Sequence, residues 1–147
     1  AELAGFNVMR WPIVWVKQHQ CINQMAQLNF TKSTEFAMLC RMPQARLIET
    51  RSTNYFQCAS DKEAHGCTHP FWKPLALHKW ILGAIAMKGQ TILDPFAGEG
   101  SIPLACIQNG YHPLAIELKE IHYIQMLERL RKALNLEQKD LPLEVPR

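Results

Sequence analysis

Thr91-Ile92-Leu93-Asp94-Pro95-Phe96-Ala97-Gly98-Glu99-Gly100-Ser101 is the stretch whose reading decides the fold. A short apolar strand runs into an acid, then into a glycine pair, with a serine at the start of a helix. Folds of the α/β class set a loop of this kind against a nucleotide-like ligand. Pro103 to Gln108 then reads as a helix, Asn109-Gly110 closes it, and His112-Pro113-Leu114-Ala115-Ile116-Glu117 reads as a second strand ending on an acid. The unit is strand, loop, helix, strand, with a carboxylate at each strand's end.

Three features point to a ligand. Gly98 and Gly100 lack Cβ, so the backbone can turn tightly and come close to a bound molecule. Ser101 can cap the following helix, whose free N–H groups and positive dipole end favour a carboxylate or other anion. Glu117, at the tip of the next strand, can accept hydrogen bonds from both hydroxyls of a ribose. A lone Gly-x-Gly is as often a purely structural turn; the acids at both strand ends weigh against that alternative.

The segment Asp94-Pro95-Phe96-Ala97-Gly98-Glu99-Gly100-Ser101, with His69-Pro70-Phe71-Trp72-Lys73-Pro74 before it and Ala115-Ile116-Glu117-Leu118 after it, resembles the cofactor half of the amino-type DNA methyltransferases. These enzymes transfer a methyl group from S-adenosylmethionine to adenine N6 or cytosine N4. The order of segments is that of the permuted class, with the catalytic motif first and the cofactor motif last. The resemblance is fullest over Thr68 to Lys132 and sparser over Gly5 to Arg41. It implies an α/β, Rossmann-like methyltransferase fold, incomplete here because the central catalytic strands are missing. It further implies that Asp94, Phe96, Gly98 and Gly100, with Ser101, surround the amino-acid portion of S-adenosylmethionine, that Glu117 holds its ribose, and that Lys73 pairs with its carboxylate. Most members carry Ser or Thr where Glu99 stands, and the Glu99 side chain is expected to point outward.

Upstream, Gly5 ends a short helical turn and Asn7 to Val16 is a β-rich run interrupted by Pro12. A polar loop, Lys17 to Ser33, follows, and then Glu35-Phe36-Ala37-Met38-Leu39-Cys40-Arg41, a strand apolar enough to be buried on both faces. In the resembling family, Gly5-Phe6, Trp15-Val16-Lys17 and Thr34-Glu35 mark the hairpin at the far edge of the catalytic sheet. That analogy turns the loop towards double-stranded DNA, with Lys17, Asn23 and Lys32 as contacts. Residues 42–68 read as a loop. Cys58, His65, Cys67 and His69 invite a zinc reading, but no Cys-x-x-Cys or His-x-x-x-His pair supports it, and no metal is expected.

Pro74 to Met87 reads as a helix with Leu75, Leu77, Trp80, Ile81, Ala84 and Ile85 on its apolar face. Lys119 to Leu134 reads as a longer helix covering the sheet. The chain is thus expected to be one partial domain over residues 1–147: edge hairpin and DNA-facing loop over 1–68, cofactor-binding unit over 69–136, and a tail over 137–147.

Composition fits a globular domain. Hydrophobic residues make up 48% of 147 residues, enough for a core, and no apolar run is long enough for a signal peptide or a membrane span. A cytoplasmic location and reduced thiols for the five cysteines are expected. The net charge of +3 is too small to announce nucleic-acid binding, although the basic excess sits within residues 1–53.

The amino methyltransferases need an Asp/Ser/Asn-Pro-Pro-aromatic motif to hold the target amino group and stack on the flipped base. No Pro-Pro dipeptide occurs in the sequence. The permuted order puts that motif upstream of Ala1, so dependence on a missing N-terminal segment, a rearranged sheet, or self-association through unpaired strand edges is expected. Two rival readings stand beside this one. A dinucleotide-binding oxidoreductase fits Gly98, Gly100 and Glu117, but Pro103 occupies its third glycine position. A non-catalytic cofactor-binding or interaction module fits the absent motif.

Overall fold

The computed structural model describes residues 4–18, 28, 30, 32–50, 53–68 and 71–135. Asn23, His69, Pro70 and the expected tail over 137–147 lie outside the described residues. Within them the chain forms, in order, β1 (Asn7–Val8), β2 (Ile13–Lys17), β3 (Thr34–Ala37), β4 (Cys40–Arg41), β5 (Tyr55–Cys58), α1 (Leu75–Ile85), β6 (Thr91–Asp94), α2 (Ser101–Asn109), β7 (His112–Ala115) and α3 (Glu120–Leu134).

The strand, loop, helix and strand read from the decisive stretch form in that order, but Ser101 is the first residue of α2 and not its cap, a place taken by Gly100 with no side-chain capping bond. β6 and β7 pair in parallel, Thr91 opposite His112 and Asp94 opposite Ala115, with α2 as the crossover between them. Gly100 sits in the left-handed region at φ 88° just before α2, and Gly110 at φ 78° ends it. Pro74 stands at the N-terminus of α1 with φ −59°. The first amide of α1 is satisfied from outside the helix: Leu75 N–H donates to Asp61 Oδ2 at 2.8 Å, and Trp72 Nε1–H donates to Asp61 Oδ1 at 2.7 Å.

The core lies between α1 and α2. Trp72, Leu75, Leu82, Leu104, Cys106 and Tyr111 pack into it, with Ile92 of β6 against them. Trp80, on another face of α1, stacks on Phe56 of β5 at 5.4 Å between ring centroids and so ties the helix to the N-terminal sheet.

Three expectations are corrected. The run from Glu35 to Arg41 is not a strand buried on both faces: it breaks at Met38-Leu39, and Phe36 and Met38 are 69% and 61% exposed. β3 is an edge strand, and a continuous apolar run cannot by itself tell an edge from a sheet centre. Residues 42–68 are not only loop, since β5 pairs in parallel with β2, Val14 opposite Tyr55 and Lys17 opposite Cys58. Helix α3 packs chiefly on α2 rather than over the sheet, with Met126 buried and Ile121 60% exposed.

The strands fall into separate sheets: the ribbon β1-β4, the set β3-β2-β5, and the pair β6-β7. Between the hairpin β2-β3 and β6 lies an apolar cleft of about 390 Å³, lined by residues including Trp15, Phe36, Leu77, Ile81 and Leu93. Among the described residues, the side of β6 away from β7 carries no strand partner. Among the same residues, no helix is long and apolar enough to cross a membrane.

Candidate functional site

The loop after β6 is stitched to the end of β7 by its own amides. Phe96 N–H donates to Asp94 Oδ1 at 3.1 Å, Ala97 N–H to Ile116 O at 2.9 Å, and Gly98 N–H to Glu117 Oε2 at 2.7 Å. The other Glu117 oxygen accepts the Lys119 N–H at 2.9 Å. Glu117 therefore anchors the loop. A carboxylate offers about four acceptor positions, so it can take hydroxyl donors besides these two amides. Burial pushes the Asp94 carboxyl above its ordinary value, and the Glu117 carboxylate nearby adds to the shift against the opposing Phe96 N–H.

A cavity of about 170 Å³ opens against this loop, lined among others by Phe71, Lys73, Asp94, Phe96, Gly98 and Ser101. Phe96 and Phe71 are 88% and 72% exposed, so two aromatic rings form its solvent-facing rim. Of the seven residues read from sequence for this site, Lys73, Asp94, Phe96, Gly98 and Ser101 line the cavity and Glu117 anchors its wall. Gly100 does not line it. A Cβ there would meet Met126 Cγ at 2.6 Å, so its missing side chain makes room for α3.

Lys73 is not left for a ligand alone. Its Nζ lies 2.7 Å from Glu35 Oε2, while Lys17 Nζ lies 2.7 Å from Glu35 Oε1. The Trp15 ring faces both ammonium groups, at 5.1 Å from Lys17 and 5.9 Å from Lys73. Burial alone would push the Glu35 carboxyl up; the two lysines outweigh it and bring the pKa below its ordinary value. A residue read as DNA-facing and one read as cofactor-facing thus share one acid. Lys32 is exposed.

Glu99 overturns the expectation that its side chain points outward: it is 2% exposed. Oε1 accepts the Thr68 hydroxyl at 2.8 Å, and Oε2 accepts the Thr68 N–H at 3.2 Å and Arg129 Nη2 at 3.2 Å. His122 Nδ1 stands 3.9 Å from Oε1. Arg129 also donates to the Glu99 carbonyl and to His65 O, and its guanidinium covers the Trp72 ring at 5.0 Å. Burial pushes the Glu99 carboxyl up, but hydrogen bonds from Cys67, Thr68 and Arg129 prevail and bring it down to about 2. The sequence offered no local signal for this cluster, because Arg129 stands thirty residues away on α3.

His78, which sequence reading also passed over, lines both the loop cavity and the apolar cleft. Its Nε2 lies 3.1 Å from Ser101 Oγ. Burial, with Lys73 as a lesser cause and Asp61 opposing, lowers its pKa from 6.5 to about 4. An unfolded chain then binds a proton here that the folded chain rejects, so stability present above pH 6.5 is lost as pH falls towards about 4. The unfolding free energy should drop by about 2–3 kcal/mol across that window, and His78→Gln should flatten the drop in urea titrations taken at several pH values. An unchanged pH profile in the variant would refute the assignment.

His65 Nε2 lies 3.5 Å from Asp61 Oδ2, Cys67 is buried, and among the described residues no group of three could hold a metal.

The chain matches known solved structures. It is 25% identical to M1.HpyAVI in its complex with SAM, with a TM-score of 0.77, over 88% of this chain and 65% of that one. It is 11% identical to the cytosine-N4-specific PvuII DNA methyltransferase, with a TM-score of 0.66, over 84% of this chain and 54% of that one. It is 20% identical to TTHA0409 of Thermus thermophilus complexed with S-adenosyl-L-methionine, with a TM-score of 0.58, over 90% and 56% of the two chains. The chain therefore spans about two thirds or less of the length of these proteins. No curated protein sequence matches it significantly. The N6/N4 DNA methylase family matches residues 2–129, which contain the loop, both carboxylate-tipped strands and the buried Glu99, and the chain belongs to that family.

Proposed function

We propose that residues 1–147 form the cofactor-binding portion of an S-adenosylmethionine-dependent DNA methyltransferase acting on an exocyclic amino group, adenine N6 or cytosine N4. The observation that carries this reading is the cavity walled by the Asp94–Ser101 loop and anchored by Glu117. The residues present fit the group. The acceptor oxygens of Glu117 suit ribose hydroxyls, the exposed Phe96 and Phe71 rings suit an aromatic or apolar part, and Lys73 and Ser101 supply donors for a carboxylate. S-adenosylmethionine, when bound, supplies an electrophilic methyl group on a sulfonium. The chain's own part is to fix its orientation, since direct displacement depends on alignment of nucleophile and leaving group.

In this reading Lys17 and Lys32, with Asn23 outside the described residues, supply phosphate or base-edge contacts to double-stranded DNA. The catalytic Pro-Pro motif and the strands that fill the cleft between β3 and β6 come from polypeptide beyond these residues, the protein working in the cytoplasm. Self-association through the same edges is the competing outcome, and gel filtration with cooperative unfolding separates the two. The lack of any Pro-Pro dipeptide favours a second reading, a module that binds cofactor without catalysing transfer.

Calorimetric titration with S-adenosylmethionine, beside a Glu117→Ala variant and with NAD as a control, tests the proposal. Saturable binding that weakens about tenfold or more in the variant is the expected result, the loss of at least one hydrogen bond to a charged acceptor. Binding of NAD instead, or S-adenosylmethionine binding indifferent to Glu117, would overturn it. Methyl transfer to duplex DNA, measured with the same protein, decides between enzyme and module.

A further inference from the structure

Ser101 has one hydroxyl proton and two neighbours that compete for it. One is the cavity it lines; the other is His78, whose Nε2 stands 3.1 Å from Ser101 Oγ. A ring with bare Nε2 takes the serine proton and leaves only lone pairs towards the cavity. A ring protonated at Nε2 donates to Oγ and frees the serine proton to point outward. The two tautomers therefore present opposite faces of the same hydroxyl to whatever occupies the cavity.

We propose that His78 is a positioning residue: its Nε2–H donates to Ser101 Oγ and turns the Ser101 proton into the cavity, to meet the carboxylate of an amino-acid-bearing cofactor. The inference rests on the cofactor reading above and adds a residue that the loop motif does not contain. Several observations place a fixed, neutral ring beside the cavity. His78 is held in the first turns of α1 and is 9% exposed, so the ring cannot swing away to solvent. Lys73, five residues before it, lines the same cavity, which places two donors on one side of a site suited to an anion. The charged groups that act on the ring are Asp61 and Lys73, and burial beside them keeps it neutral at physiological pH. A neutral ring is required, because a ring that gained and lost charge would change the field at the cavity with each proton.

The arrangement predicts ligand selectivity rather than a uniform loss. His78→Leu should weaken S-adenosylmethionine binding by about tenfold, the scale of one hydrogen bond to a charged group. Binding of 5′-methylthioadenosine, which keeps the nucleoside and lacks the amino-acid portion, should not change. His78→Gln, whose amide nitrogen can reach the Nε2 position, should restore most of the lost affinity, and Ser101→Ala should reproduce the His78→Leu result. In nitrogen-15 spectra of the unliganded protein, the His78 ring should be neutral and protonated at Nε2, with that resonance shifting in Ser101→Ala.

Equal losses for both ligands in His78→Leu would show a merely structural role and overturn the inference, as would no loss for either. A ring found bare at Nε2 in a protein that still binds S-adenosylmethionine would overturn it while leaving the cofactor reading intact. Failure of the unaltered protein to bind either ligand would overturn both together.

Discussion

Glu99→Leu is expected to lower the unfolding free energy by about 2–4 kcal/mol, because it leaves the largely buried Arg129, 13% exposed, without its counter-charge. The carboxylate receives bonds from Thr68 and Arg129 and is almost wholly out of solvent. Serine at this position, the kind of residue the family resemblance leads one to expect, should be nearly as damaging here, since it removes the counter-charge just as leucine does. Replacing both partners, Glu99→Leu with Arg129→Met, should recover much of the loss, as exchange of a buried ion pair for packed apolar side chains is often neutral. Urea denaturation of the three variants measures this. A loss below about 1 kcal/mol for Glu99→Leu would mean the cluster behaves as a solvated surface pair. The effect also has a pH signature. The folded carboxyl sits at about 2, below its unfolded value of 4.5, so this stabilisation is complete above pH 4.5 and disappears as pH falls towards about 2.

Gly100→Ala is expected to cost about 2–5 kcal/mol through two separate terms. The left-handed backbone, φ 88°, costs a residue with a Cβ about 1–2 kcal/mol. The new methyl would also lie 2.6 Å from Met126 Cγ, and Met126 is 2% exposed with little room to retreat, so overpacking adds about 1–3 kcal/mol. Met126→Ala should relieve the second term and not the first. Comparing Gly100→Ala with and without Met126→Ala in a double-mutant cycle separates them. A coupling near zero would mean that α3 does not press on the loop.

The parts of the fold legible in the sequence were those written in local pattern. β6, α2, β7 and α3 follow from apolar periodicity, Gly110 and two acids, all within some forty residues. The parts that were not legible depend on partners far along the chain. β5 exists because Tyr55 to Cys58 find β2, and nothing inside residues 42–68 announces a parallel neighbour. Asp61 satisfies the start of α1 from fourteen residues upstream, a distance no capping pattern covers. At the site, Lys73 was legible as a cation beside a loop but not as half of a bridge, because Glu35 belongs to another sheet. Glu99 was misread because a small residue in relatives says nothing about what a large one will reach, and here it reaches across to α3.

The one-sided pairing of β6 among the described residues has a consequence for how the protein meets solvent water. In a parallel ladder, alternate amides of a strand point to opposite neighbours, so those of β6 that do not face β7 face the cleft. They can trade their hydrogens for deuterium without any unfolding, while the amides between them must wait for the β6-β7 pair to open. The strand should thus show a two-residue rhythm of fast and slow exchange. Whatever polypeptide pairs with that edge would erase the rhythm, turning the fast amides slow, and the occupant of the cleft would be registered one backbone position at a time.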